Sequence, residues 1–397
     1  MKGKFFYFAL SLSLLMAFLR PVQANMNKHP TIDIAVGLEN FDFQPLFEEF
    51  SAKTGIKVNI LAFNNNQLKS ELLLYADALQ LPDAVIIPSD YMGLSELQFS
   101  VVPPSWLSNK LAPKVVENSK VNGELKGVPI MFGNHLIQYY NRTLTQHPIT
   151  DLQSYVQQTH PNEAKLGWNY YEMYWFITFA NSLQPNIIAS GEPQLDTRAM
   201  RLALSNYQVL LNSTAIDADC AYQCLMNRFK TGKLTYFVNG IWAYRQLKDK
   251  LGDDLAVAPM PNWGNHPLTS FASSHVLSFP ANAIESKQGP YLKKLVDFMQ
   301  SQAVQDKLWD ELNALPANGD SLQQLTERGD ENLATLIASL QATYPQPNEP
   351  IMAYIWEAML KGLTRYLGGV YSVEETTQYM QFIVTKSGQN ENKSQHR

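Results

Sequence analysis

Between Thr31 and Ile87 short apolar runs alternate with segments of helical period, and that alternation limits the possible folds most. Thr31–Gly37 reads as a strand of alternating and then continuous apolar residues. Pro45–Lys53 places Leu46, Phe47 and Phe50 at helical spacing, with a proline start and a stop at Gly55. Ile56, Val58 and Ile60 alternate as a second strand. Gln67–Leu79 carries Leu68, Leu72, Leu73 and Ala76 on one helical face, and Ala84–Ile87 is a third strand. The β-α-β-α-β order predicts an α/β protein with a parallel sheet covered by helices. Ligands of such sheets bind beyond the carboxyl ends of the strands. Those ends are Gly37–Asn40, Phe63–Asn66 and Ser89–Tyr91, all polar loops. The same loops would also suit plain solvated connections.

Asn122–Asn141 is the second informative stretch. Gly123 and Gly127 frame a short polar hairpin, where positive φ is often needed. Pro129 biases Val128 toward extended geometry, so Val128–Ile130 is predicted as a strand. Gly133 breaks the run, and Leu136–Tyr140 resumes it. A strand, a glycine break and another strand let a chain leave one lobe and enter a second.

The 397 residues suffice for more than one domain, and 45% hydrophobic content supports large cores. A net charge of −5 argues against nucleic acid as the main partner. Residues 1–24 read as a secretion signal: Lys2 and Lys4 precede the apolar run Phe5–Leu19, and Val22-Gln23-Ala24 offers a cleavage site before Asn25. No cysteine stands directly after the cleavage site, which predicts an unlipidated chain. The two cysteines, Cys220 and Cys224, are four apart; an exported chain could bond them or leave them free.

Aromatic residues crowd Leu166–Leu183. Trp168, Tyr171, Trp175 and Phe179 follow helical spacing and predict one stripe, core or ligand platform. Phe176 and Phe179 are expected inside, and Tyr170 or Tyr171 at a cleft. Further helices are expected over Thr197–Leu211, from Asp217 and Asp219 onward, over Leu325–Leu340 and over Ile351–Tyr366. Leu234–Val238 and Leu255–Pro261 read as strands, and Ser270–Ser278 as a return to the first lobe.

Several segments together resemble the maltose-binding protein family, the sugar-binding subunits of bacterial ABC importers. Phe47–Val58 is similar to that family's first-helix signature. Val128-Pro129-Ile130 and Tyr140-Asn141-Arg142-Thr143-Leu144 resemble its crossover. Phe229-Lys230-Thr231-Gly232-Lys233 with Asn239-Gly240-Ile241-Trp242, then Val257–Pro261 and Met352–Trp356, follow in the family's order. The resemblance implies a two-lobed periplasmic-binding-protein fold of type II, with hinge crossovers and a ligand cleft between the lobes. It implies lobes of 25–131 with 275–330 and of 132–274 with 331–385, leaving 386–397 as a disordered tail. It implies stacking platforms at Trp242 and Trp356 with Tyr244 beside the first, a hydroxyl acceptor at Asp90, a polar pair at Glu39 and Asn40, and a second-lobe aromatic at Tyr171. The implied ligand is a carbohydrate, the implied partner an inner-membrane ABC permease, and the implied state a monomer in a Gram-negative periplasm, with no cofactor. Tyr91, Ile87, Gly133 and Leu360 stand where the family carries arginine, tryptophan, glutamate and arginine, so several charged hydroxyl ligands are missing.

Two other readings compete. Asp90 and Glu39 could be the paired carboxylates of a glycoside hydrolase, although Gly-x-Ser-x-Gly, His-Glu-x-x-His and clustered histidines are absent from the sequence. The same fold could instead hold a polyamine, a phosphate ester or ferric ion, the last through Tyr139-Tyr140 or Tyr170-Tyr171. Seven Trp, nineteen Tyr and nineteen Phe favour a ligand with flat apolar faces, hence a sugar.

Overall fold

A computed structural model describes residues 29–37, 42–63, 67–158, 166–216 and 220–394. The expected signal segment, Glu39, Asn40, Asp217 and Asp219 lie outside the described residues. Strands Thr31–Val36 (β1), Lys57–Ala62 (β2) and Ala84–Pro88 (β3) alternate with helices Gln44–Thr54 (α1) and Leu68–Asp77 (α2). β1 pairs in parallel with both β2 and β3. Ile32, Ile34, Ala35 and all of Ala84–Ile87 are buried, as befits strands covered on both faces. Edge strand β2 keeps no fully buried residue. Gly55 stops α1 in the left-handed region (φ 72°), its N–H capping the Ser51 carbonyl.

Gly127–Gly133 (β4) and Leu136–Asn141 (β5) then carry the chain from this sheet to another. The second sheet is completed by Leu166–Trp168 (β6), Tyr236–Gly240 (β7) and Leu255–Ala258 (β8), in the order β8-β5-β7-β6. Phe271–Ser278 (β9) returns to the first sheet, antiparallel to β3 and β4, and Tyr344–Pro345 (β10) pairs beside its start. The first sheet thus runs β10-β9-β3-β1-β2, with β4 also on β9. Asn122 and Gly123 both have positive φ (51° and 81°) at the hairpin tip. Gly127 is needed for a different reason: a Cβ there would lie 2.7 Å from the Ser278 hydroxyl.

The second sheet is covered by Met173–Leu183 (α3), Arg198–Leu211 (α4) and Tyr222–Lys230 (α5), and later by Glu331–Ser339 (α6), Ile351–Leu367 (α7) and Val373–Ser394 (α8). The segment 300–330 divides between two cores. Leu308 and Leu312 pack with Phe50 and Phe298, whereas Trp309, Leu315 and Leu325 pack with Phe237 and Tyr244.

Three expectations need correction. Trp168 is not on the aromatic helix: it pairs with Val238 as the last residue of β6, and α3 starts only at Met173. Its indole still reaches the same core, edge-on to Phe179, with Phe176 and Phe179 buried as expected. Leu325–Leu340 is two helices, because Gly329 (φ 80°) turns the chain and Asp330 caps the new N-terminus. α8 runs on to Ser394, past the expected start of the tail at 386, with no proline to stop it.

Candidate functional site

Pro88 ends β3, and the turn Ser89–Gly93 follows it at the carboxyl end of the first sheet. The turn is fixed from behind. Ser89 donates to Asn118 Oδ1 (3.1 Å), and a Cβ on Gly93 would lie 2.7 Å from the Asn348 carbonyl. Asp90 projects from this turn. Its Oδ1 is buried and has no hydrogen-bond partner among the described residues. Burial pushes its carboxyl up to about 6, partly offset by its own backbone amide, Lys69 and a hydrogen bond from Gln346. Tyr91 next to it is pushed up to about 12, chiefly by burial.

The second sheet supplies flat faces. β7 ends at Gly240, and the turn Ile241–Ala243 carries Trp242. A Cβ on Gly240 would stand 2.0 Å from the Trp242 ring, so the indole lies across a bare backbone. The indole Nε1 donates to the Tyr222 hydroxyl at 2.9 Å. Trp175 backs it edge-on, with centroids 6.3 Å apart, and its own Nε1 donates to the Val238 carbonyl. Tyr174 stands between the two expected platforms: its ring centroid is 6.3 Å from Trp242 and 6.2 Å from Trp356, which projects from α7. Phe271, at the start of β9, meets Trp356 edge-on at 6.2 Å. The Asp90 charge is close enough to Tyr174 to raise that phenol further, after burial.

The structure therefore brings Trp242 and Trp356 together through Tyr174, with the Asp90 charge felt at the Tyr174 phenol. Tyr244 is placed elsewhere. It is 5% exposed, packs on Trp309 and donates its hydroxyl to Asp330, because the helix that follows Trp242 turns it into the second-sheet core. Tyr171 is 52% exposed and lies against Tyr170, with centroids 4.3 Å apart. Glu39 and Asn40 fall outside the described residues. Tyr174 was hidden in the sequence by the stripe drawn through Trp168. With α3 beginning at Met173, Tyr174 and Trp175 open the helix beside Trp242, and the Asn169–Glu172 turn was the available signal.

Such a site offers apolar planes and a carboxyl oxygen without a partner among the described residues. It suits a ligand with a flat C–H face and hydroxyl donors. Residues 45–335 match the family described as bacterial extracellular solute-binding proteins. The chain belongs to that family. A maltooligosaccharide ABC transporter solute-binding lipoprotein of Streptococcus pneumoniae is 22% identical over 360 residues, covering 83% of this chain and 82% of the relative. Among solved structures, the maltose/maltodextrin-binding domain of Bdellovibrio bacteriovorus, bound to maltotriose, has a TM-score of 0.78 at 18% identity and covers 90% of this chain and 100% of its own. The GacH receptor of Streptomyces glaucescens, solved unliganded and with acarbose, has a TM-score of 0.80 at 18% identity, covering 90% and 98%. These likenesses share the two-lobed fold, and the family and its neighbours are solute-binding proteins rather than enzymes.

Proposed function

We propose that this protein is the substrate-binding subunit of an ABC importer and holds an oligosaccharide of the maltooligosaccharide class between its two lobes. The observation that carries the reading is the run Trp242–Tyr174–Trp356 beside the unpartnered Asp90 oxygen. Aromatic planes cover the C–H faces of successive sugar rings, and the carboxylate accepts from a hydroxyl. The curated relative's description and the ligands of the fold neighbours support the same class. Asp90, Trp242 and Trp356 are assigned to the ligand, with Glu39, Asn40 and Tyr171 as further candidates. Hinge closure of two lobes around a ligand is the general behaviour of periplasmic binding proteins, and it is carried over to this chain from that class.

The protein carries out no chemistry of its own in this reading. It acts as a monomer in a Gram-negative periplasm and delivers its sugar to an inner-membrane permease. Support for export is the family itself and the Lys2/Lys4, Phe5–Leu19 and Val22–Ala24 pattern. Trp242→Ala and Trp356→Ala test the site. Each is expected to weaken maltotriose binding by about 1–3 kcal/mol, the scale of aromatic stacking on flat ligands, while the sugar is recovered intact. Two variants that bind like wild type, or release of new reducing ends by the wild type, would contradict the proposal.

A further inference from the structure

The Tyr174 ring faces the proposed ligand platform, but its hydroxyl does not. It donates to the Asn134 carbonyl at 2.5 Å and lies 3.2 Å from the Phe271 carbonyl. Those two carbonyls belong to the two strand connections between the lobes. Asn134 sits between β4 and β5, in the left-handed region (φ 55°), directly after Gly133 (φ 155°). Phe271 opens β9, the strand that brings the chain back to the first sheet. The connections are also tied to each other. Asn134 Nδ2 donates to the Ser273 hydroxyl (3.2 Å), and the Leu136 amide donates to the Ser270 hydroxyl (3.0 Å). A single phenolic proton is thus shared by two of the places where the chain crosses between lobes.

We infer that Tyr174 is a positioning residue that couples occupation of the ligand platform to the angle between the lobes, through its hydroxyl. This rests on the sugar reading above. A ring held by stacking alone could shift to meet a ligand without moving anything else. A ring bonded to both connections occupies its stacking position only when the connections are in the matching arrangement. A ligand that stacks on it therefore favours that arrangement over others, which is the differential affinity a ligand-driven closure requires. Burial pushes the Tyr174 phenol well up, so it remains a proton donor at every pH of the periplasm.

The test is Tyr174→Phe in the full exported chain, with maltotriose as the probe. Affinity is read by titration calorimetry, and lobe closure by the radius of gyration in solution scattering with sugar at saturation. The wild type is expected to bind and to contract. Tyr174→Phe retains the ring and is expected to bind roughly three- to tenfold more weakly, the effect of one lost hydrogen bond. It is also expected to contract less even when saturated. A hydroxyl with a merely structural role would lower the melting temperature and leave contraction at saturation unchanged, and that result overturns the inference. Should Tyr174→Phe fail to fold, Ser273→Ala removes one of the two ties between the connections and is held to the same two outcomes. A wild type that ignores maltotriose removes the sugar reading and this inference with it. A wild type that binds and contracts, beside a variant that contracts equally, removes the inference alone.

Discussion

At the scale of single residues, Gly240 shows how a small backbone feature shapes the proposed site. The Trp242 ring occupies the space a side chain would need, since a Cβ on Gly240 would lie only 2.0 Å from it. Gly240→Ala must push the indole off its seat, because the backbone of Gly240 is held in register with Leu136 of β5. We expect sugar affinity to fall by about tenfold or more, comparable to losing a stacking plane. Calorimetric titration checks this; unchanged affinity would show that the seat is irrelevant to binding. Asp90 carries a different signature. Its carboxyl is held at about 6 when folded, against an ordinary 3.8. Between those values the folded chain keeps a proton that the unfolded chain has lost. Stability contributed by this group therefore falls as pH rises through that window, and the penalty is complete above it. The difference corresponds to roughly 3 kcal/mol. Asp90→Asn should melt no lower than wild type at neutral pH, lose this dependence, and bind sugar more weakly because a neutral acceptor replaces a charged one. His135 and His275, both pushed down to about 4 by burial, act in the opposite direction. The comparison is therefore variant minus wild type across pH. A lower melting temperature for Asp90→Asn at neutral pH would mark the carboxylate as a structural ion instead.

At the scale of elements, the regular pieces follow from local sequence, and the departures have local causes. The alternating strands and helices of residues 31–88 were legible because apolar period, Pro45 and Gly55 all agree. The crossover at Gly133 was legible because proline and glycine punctuate it. The boundary of α3 was not, because an aromatic residue fits strand and helix alike, and only the pairing of Trp168 with Val238 decides. Tyr244 illustrates the same limit: two residues beyond a platform tryptophan, it turns inward to Asp330, a partner 86 positions away. Cys220 and Cys224 are bonded, with Cα atoms 5.3 Å apart. Cys220 precedes the α5 N-cap at Ala221 and Cys224 lies in the first turn, so the pair is not constrained by a continuous helix. The bridge closes a very short loop, and Cys224→Ser should cost no more than about 2 kcal/mol in denaturant melts. A loss well above that would mean the bridge orders more than the start of α5.

At the scale of the whole molecule, the proposed site requires parts of the chain far apart in sequence to meet between two sheets. Asp90 follows β3, Tyr174 and Trp242 come from the second sheet's helix and turn, and Trp356 comes from α7. Order and spacing of weak motifs made this arrangement readable in outline. Tyr174 was missed because the groups it meets, Trp242, Trp356 and the Asn134 and Phe271 carbonyls, lie on other elements. Whether these residues together hold a maltooligosaccharide is decided by calorimetric titration of maltotriose into the purified exported chain. The expected result is saturable binding of one sugar per chain, with affinity lost in a Trp242→Ala, Trp356→Ala double variant that still melts cooperatively. The absence of binding by the wild type to maltotriose and its neighbours in chain length, or undiminished binding by the folded double variant, would contradict it.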